Sequence, residues 1–265
     1  MTPTLDFIKS IAVNAGEILR QFTREDLNIT QKGYRDLVTQ ADAESEQYLI
    51  KAIQQAFPEH AIVAEESGEW AGLQEHQWFI DPLDGTLNYA HGVPFYSVSI
   101  GYAFEGEMQL GVVYDPVREE LFSAERGRGA TLNDKPIQVA GFTELVDCML
   151  VTGFPNELEN PPDDNVANFF RFNSQAQTVR RLGSAALDMV YVGAGRMDGF
   201  WEVDICQWDI AAGGLIVREA GGVVTDVYGR PDFLKKPPSI LCANPVIHAQ
   251  MLAVLADVRG ERQNA

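Results

Sequence analysis

Basic residues are scarce in this 265-residue chain: 20 Lys and Arg stand against 38 Asp and Glu, a formal charge of −18. A general nucleic-acid surface or a face for anionic membranes needs clustered Lys and Arg, so neither is expected. Cysteine is also thin. Cys148, Cys206 and Cys242 are odd in number, far apart and never in a C-x-x-C pair. That argues against a zinc ribbon or a disulfide framework and fits reduced, mostly buried thiols in a cytoplasmic protein. No apolar run approaches the roughly 18 residues of a membrane span. The opening Met1-Thr2-Pro3-Thr4-Leu5-Asp6 lacks the basic start and apolar run of a secretory leader. There is no G-x-x-x-x-G-K-[ST] phosphate loop, no G-x-G-x-x-G and no G-x-S-x-G elbow. His60, His76, His91 and His248 are isolated, give no zinc spacing and read as surface or structural residues.

What is present is an ordinary globular composition, 46% apolar and 22% charged, with length enough for a core that needs no staple. Leu5, Ile8, Ala12, Ala15, Leu19 and Phe22 recur at steps of three and four, one face of an amphipathic helix. Asp42 to Phe57 is a second helix, with Pro58 just past its end. Short apolar runs then end in acids: Ala61 to Ala64 before Glu65, and Trp78 to Ile80 before Asp81. Buried strands that deliver polar residues at their ends have this texture. Val98 to Phe104 and Leu110 to Tyr114 form a hairpin around Glu105-Gly106-Glu107, and Glu120 to Ala124 is a further strand. The acidic, proline-rich 155–164 stretch is a candidate subdomain joint within one domain spanning 1–265. Beyond it come a helix from Ser184 to Gly193 or Gly195, a strand at Phe200 to Glu202 and a helix from Asp209 to Ala220 stopped by Gly221-Gly222. Strands at Val223 to Asp226 and Ile240 to Ala243 follow, then a last helix capped by Asn244-Pro245 and running to about Val258. This mixture implies layers of sheet and helix, an α/β architecture.

Five segments carry candidate chemistry. In Asp81-Pro82-Leu83-Asp84-Gly85-Thr86, a strand end delivers two carboxylates with the Leu83 carbonyl between them, an all-oxygen environment of the kind Mg²⁺ takes. Gly85 permits a tight turn, and Thr86 opens a helix or turn whose free amides suit a phosphate. The same residues also read as a plain Asp-Pro/Asp-Gly turn. Glu65-Glu66-Ser67 ends another strand, where alternation lets one acid of the pair face a site. Asp36-Leu37-Val38-Thr39 with Asp42, and Trp208-Asp209, place acids at helix starts, where capping is the simpler role. Gly183-Ser184-Ala185-Ala186 is a helix start near Arg180 and Arg181, suited to an anion or to an ordinary cap.

Together these blocks, with Glu219-Ala220-Gly221-Gly222 trailing the last of them, closely resemble the inositol monophosphatase family from about Leu5 to Val258. The resemblance implies an α/β/α/β/α sandwich and a Mg²⁺-dependent, lithium-sensitive phosphomonoesterase. It implies that Glu65, Asp81, Asp84, Asp209 and the Leu83 carbonyl hold magnesium. Glu65 and Thr86 would activate water, with Asp42 holding the Thr86 hydroxyl. Gly85 and Thr86 amides would bind phosphate. Asp84, Asp209, Gly183, Ser184, Ala185 and Glu202 would border the substrate, Arg180 would lie near its alcohol half, and Lys32 would sit near an outer metal position. The family suggests a homodimer and a small phosphate ester as partner, best matched by myo-inositol 1-phosphate. Relatives of the fold cleave fructose 1,6-bisphosphate, histidinol phosphate or adenosine 3′,5′-bisphosphate, and some members act as regulatory binding partners in transcription or RNA processing.

Overall fold

The computed structural model describes residues 2–22, 30–33, 36–155 and 165–263. The Lys32 side chain and nearly all of the 155–164 joint lie outside them. Helix α1 (Leu5–Gln21) starts at Thr4, whose hydroxyl accepts the Phe7 amide, and buries the stripe Ile8, Ile11, Ala12, Ala15 and Leu19. Strands β1 (Thr30–Gly33) and β2 (Asp36–Val38) pair antiparallel ahead of α2 (Gln40–Ala56). Thr39, not Asp42, is the N-cap of α2. Asp42 occupies the third helical position, and its carboxylate accepts the Thr39 amide at 2.9 Å, a capping box.

The chain then lays down β3 (His60–Ala64), β4 (Gly68–Trp70), β5 (Leu73–Asp84), the short helix α3 (Thr86–His91), β6 (Ser97–Phe104), β7 (Glu107–Asp115), β8 (Glu120–Glu125), β9 (Ala130–Leu132) and β10 (Lys135–Pro136). These strands make an eight-stranded sheet in the order β10-β9-β8-β7-β6-β5-β3-β4, antiparallel except where β3 meets β5. The β6–β7 turn is the two-residue Glu105-Gly106, both at positive φ, the type I′ geometry that matches strand twist. After it come β11 (Met149–Thr152), α4 (Val166–Gln175), β12 (Thr178–Arg180), α5 (Ala185–Gly193), β13 (Gly199–Val203), α6 (Gln207–Glu219), β14 (Val223–Thr225), β15 (Ser239–Ala243) and α7 (Pro245–Gln263). Their strands form a five-stranded sheet ordered β12-β11-β13-β15-β14.

Strand alternation builds the layers. On β3 and β5, Ile62, Ala64, Trp78 and Ile80 face α1 and α2, whereas Val63 and Phe79 face α5 and α6. On the second sheet, Phe200, Ile240 and Cys242 face α5 and α6, whereas Trp201 and Leu241 face α7. The result is an α/β/α/β/α sandwich with α5 and α6 between two sheets. Both faces of these strands are buried, which is why they read as continuous apolar runs.

The elements not expected from sequence are α4, β11 and the short strands β1, β2, β4, β9, β10 and β12. Strand β11 is a four-residue buried run with no alternation to mark it, and β12 is only three residues long. Helix α7 runs to Gln263, five residues past its expected end. His60 and His76 stack with ring centroids 4.2 Å apart, and Trp78 Nε1 donates to His60 Nδ1 at 3.1 Å. Cys148 and Cys242 are buried, and Cys206 is exposed. Among the described residues no helix is long and apolar enough to cross a membrane.

Candidate active site

The acids of β5 are brought together by an irregularity. Residues three apart on a regular strand face opposite sides. Here Asp81 pairs with Ser99 and Asp84 with Ser97, so three steps on β5 span two on β6. This bulge adds one residue and turns both carboxyls to the same side. The Asp81 Oδ1 accepts the Leu83 amide at 2.9 Å, which holds the bulge, and Ser45 of α2 donates to the Pro82 carbonyl at 3.1 Å. Gly85 follows at φ +97°, where a Cβ would lie 3.1 Å from the carbonyl oxygens of Gly183 and Phe95. Conformation and space both require glycine there.

Helix α2 supplies the support behind this turn. Its buried polar residues Asp42, Ser45 and Glu46 fall at steps of three and four on one face. The Asp42 carboxylate accepts the Thr39 hydroxyl on Oδ2 and lies 3.1 Å from the Thr86 hydroxyl at Oδ1; that hydroxyl also lies 3.0 Å from the Leu83 carbonyl. Glu46 accepts the amides of Glu66 and Ser67 at 2.8 and 2.9 Å and so fixes the turn that presents Glu65. Glu46 was not singled out from sequence, although an acid on a buried helix face is a legible signal.

A cleft of about 440 Å³ gathers Glu65, Asp81, Leu83, Asp84, Gly85 and Thr86 from the first sheet with Gly183, Ser184, Ala185, Glu202 and Asp209 from the second half. Asp84 joins the halves: its carboxylate accepts the Ser184 hydroxyl at 2.5 Å, the Ala186 amide at 2.7 Å and the Ala185 amide at 3.2 Å, capping α5 across a hundred residues. Asp209 sits in the first turn of α6 and accepts the Cys206 amide at 3.1 Å. Asp42 does not line the cleft; it stands behind Thr86. Arg180 does not line it either. Its guanidinium turns back along β12 to Thr178 and the Val179 carbonyl, and the neighbouring Arg181 lines the cleft instead, 5.3 Å from the Phe154 ring. The resemblance placed Arg180 beside the substrate, but adjacent residues of an extended chain face opposite sides, and here it is Arg181 that faces the cleft. Asp188 and Gly153 line the cleft as well, and sequence did not mark them.

The electrostatics are those of crowded acids. Burial, then the charges of Glu65, Asp84 and Asp209, pushes Asp81 well above the usual carboxyl range. Burial, then Asp84, does the same to Asp209. Burial raises Asp84 to about 6 against the bonds from Ser184, Ala186 and Ala185, and burial with Asp84 raises Glu202 to about 8. Among the described residues no three His, Cys, Asp or Glu converge as a ready metal cage. Instead the carboxyls of Glu65, Asp84 and Asp209 lie near enough for their charges to act on Asp81. Such neighbours need protons or a cation.

A pH dependence follows. A carboxyl with a raised folded pKa keeps a proton that the unfolded chain has already lost, so stability falls as pH rises from the unfolded value to the folded one. For Glu202 that window runs from 4.5 to about 8, and for Asp84 from 3.8 to about 6. Without divalent cations the protein should melt several degrees lower at pH 8 than at pH 5.5, and Glu202→Gln should flatten the upper part of the slope. A melting temperature independent of pH over this range would contradict the crowding.

The model of the inositol monophosphatase family matches residues 1–260. The chain is 44% identical over 245 residues to the Nus factor SuhB of Pseudomonas aeruginosa, covering 89% of this chain and 90% of that protein. It is 41% identical over 251 residues to the inositol-1-monophosphatase of Mesorhizobium japonicum, covering 94% of each. The solved structure of inositol monophosphatase from Anabaena (Nostoc) sp. superposes with a TM-score of 0.85 at 42% identity, covering 96% of this chain and 95% of that one.

Proposed function

The chain belongs to the inositol monophosphatase family, and from that premise we propose that it is a Mg²⁺-dependent phosphomonoesterase that hydrolyses the phosphate ester of a polyol, with myo-inositol 1-phosphate as substrate. The observation that carries this reading is the convergence of Glu65, Asp81, Asp84 and Asp209 with the Leu83 carbonyl on one cleft, beside the amides that follow Gly85. The donor set is all oxygen, which suits a hard cation, and burial with mutual charge holds its acids above the usual carboxyl range, a crowding that a cation would relieve. Glu65, Asp81, Leu83, Asp84 and Asp209 are the residues that would hold magnesium. Bound there, the metal supplies positive charge to the phosphate and acidity to water.

The protein's own groups do the rest. Asp42, locked by Thr39, fixes the Thr86 hydroxyl, whose lone pairs orient the attacking water. Glu65, presented by the turn that Glu46 holds, takes the proton from that water. Amides at Gly85 and Thr86 hold the phosphate oxygens where charge develops. Glu202 and the Gly183-Ser184-Ala185 corner border the alcohol half. The Glu202 carboxyl, raised to about 8, offers an acceptor and a donor to hydroxyl groups, which favours a polyol ester.

Release of inorganic phosphate from myo-inositol 1-phosphate, with and without Mg²⁺, tests the proposal. Activity should require Mg²⁺ and fall when Li⁺ is added at a concentration comparable to saturating Mg²⁺, since a small monovalent ion can enter the donor set without supplying the double charge. No phosphate release, or release indifferent to Li⁺, would count against it. Names such as Nus factor SuhB among the relatives favour a second reading, a regulatory partner role carried by the same fold. With a charge of −18, contact with a basic protein is the simpler form of that role. The protein is proposed to act as a cytoplasmic homodimer, which its mass in solution would check.

A further inference from the structure

On the alcohol side of the cleft lies a carboxyl that neither the metal-donor set nor the phosphate turn uses. Asp188, in the first turn of α5, is 2% exposed and yet lines the cleft. No described residue donates a hydrogen bond to its side chain, and its Oδ1 is wholly enclosed. The α5 dipole favours an acid at this end but gives it no hydrogen-bond partner. Buried polar groups are nearly always paired, so a carboxyl in the cleft lining with no donor among the described residues points to a group that arrives from outside.

Glu202 borders the same end of the cleft from β13, and its place depends on a missing side chain. A Cβ on Gly153, just past β11, would lie 2.2 Å from both Glu202 carboxyl oxygens. The carboxyl therefore fits against bare backbone, near enough to Asp188 for its charge, together with burial, to push Asp188 well above the usual range. Arg181 is the cation that acts on Glu202 from the cleft lining.

We infer that Asp188 is a specificity residue, and that with Glu202, seated against Gly153, it forms a two-carboxyl receptor for neighbouring hydroxyl groups on the alcohol half of the substrate. The inference rests on the phosphatase reading and deepens it. Two carboxyls offer acceptors to two hydroxyls at once. An ester lacking hydroxyls leaves both groups unpaired, and sites built around buried polar groups discriminate most strongly in that situation. Asp188 touches the alcohol rather than the reacting phosphate, so its loss should appear mainly in KM.

The test compares wild type, Asp188→Ala, Asp188→Asn and Gly153→Ala on myo-inositol 1-phosphate and on p-nitrophenyl phosphate at saturating Mg²⁺. The inference expects Asp188→Ala and Gly153→Ala to lower kcat/KM on the inositol ester by about tenfold or more, the worth of one good hydrogen bond. On the aryl ester the loss should stay below about threefold. Asp188→Asn, which keeps one acceptor, should fall between. Melting temperatures of the Asp188 variants should equal or exceed wild type, because a buried unpaired carboxyl is removed. Equal losses on both esters, losses in kcat alone, or a lowered melting temperature would make Asp188 a structural or metal-linked residue and overturn the inference. A preference of wild type for an amino-alcohol phosphate over the polyol ester, lost in Asp188→Ala, would mean that the pair receives an ammonium group and would overturn it too. Wild type inactive on both esters would sink the phosphatase reading itself, and this one with it.

Discussion

Asp84→Asn should fold and lose roughly two orders of magnitude or more in turnover, about 2.7 kcal/mol of transition-state stabilisation. The volume is kept while a charge and a proposed metal donor are lost. The fold should survive because one amide oxygen can still accept from Ser184 and Ala186, the two shorter of the three bonds that Asp84 makes to the start of α5. Removing a charge that also raises its neighbours Asp81 and Asp209 offsets part of the remaining loss. Circular dichroism and a melt would check the fold, and phosphate release from myo-inositol 1-phosphate would check turnover. A variant that keeps more than half of the wild-type rate would show that the carboxyl cluster is not the reaction centre. If such an inert variant still served a partner in transcription, the regulatory reading would stand apart from catalysis.

Chelation of Mg²⁺ should reduce activity to background and lower stability together. The folded cleft gathers Glu65, Asp81, Asp84 and Asp209, whereas the unfolded chain disperses them. A cation that binds only the folded form adds RT ln(1 + [L]/Kd), roughly 2.7 kcal/mol at a hundredfold excess over Kd. For a chain of this size that is a rise of a few degrees in melting temperature. Asp209→Asn removes a repelling charge and a proposed donor at once. Without metal it should be as stable as wild type or more so, and it should gain less from Mg²⁺. Melts of both proteins at matched ionic strength separate this from simple salt screening, which would shift them equally. If wild type gains no more than Asp209→Asn, Asp209 is not a metal donor.

Local rules made much of the fold legible. Helix α1 shows its three-and-four stripe, α5 its Ser184 cap and α7 its Asn244-Pro245 start, because each signal lies within a few residues of what it controls. The apolar runs before Glu65 and Asp81 were visible for the same reason, although β5 continues past Asp81 to Asp84 rather than ending there. The blocks around Asp81, Glu65, Asp42, Ser184 and Asp209 were also enough to suggest the family, since each keeps its chemistry in a contiguous stretch.

What tertiary structure alone decided is how those stretches meet. Asp81 and Asp84 face one side only because β5 bulges against β6, and the bulge is a relation between two strands. Asp42 is a link to Thr86 as well as part of a cap because α2 packs behind β5, 44 residues away. Arg181 rather than Arg180 enters the cleft through the facing of β12, a strand too short for periodicity to reveal. Asp188 is one acid in an apolar helix by sequence; burial beside Glu202, against the bare backbone of Gly153, makes it an unpaired carboxyl at the cleft. Local periodicity carries the direction of each side chain relative to its own element. Convergence depends on the packing of elements that can lie more than a hundred residues apart, and no short window of sequence contains that.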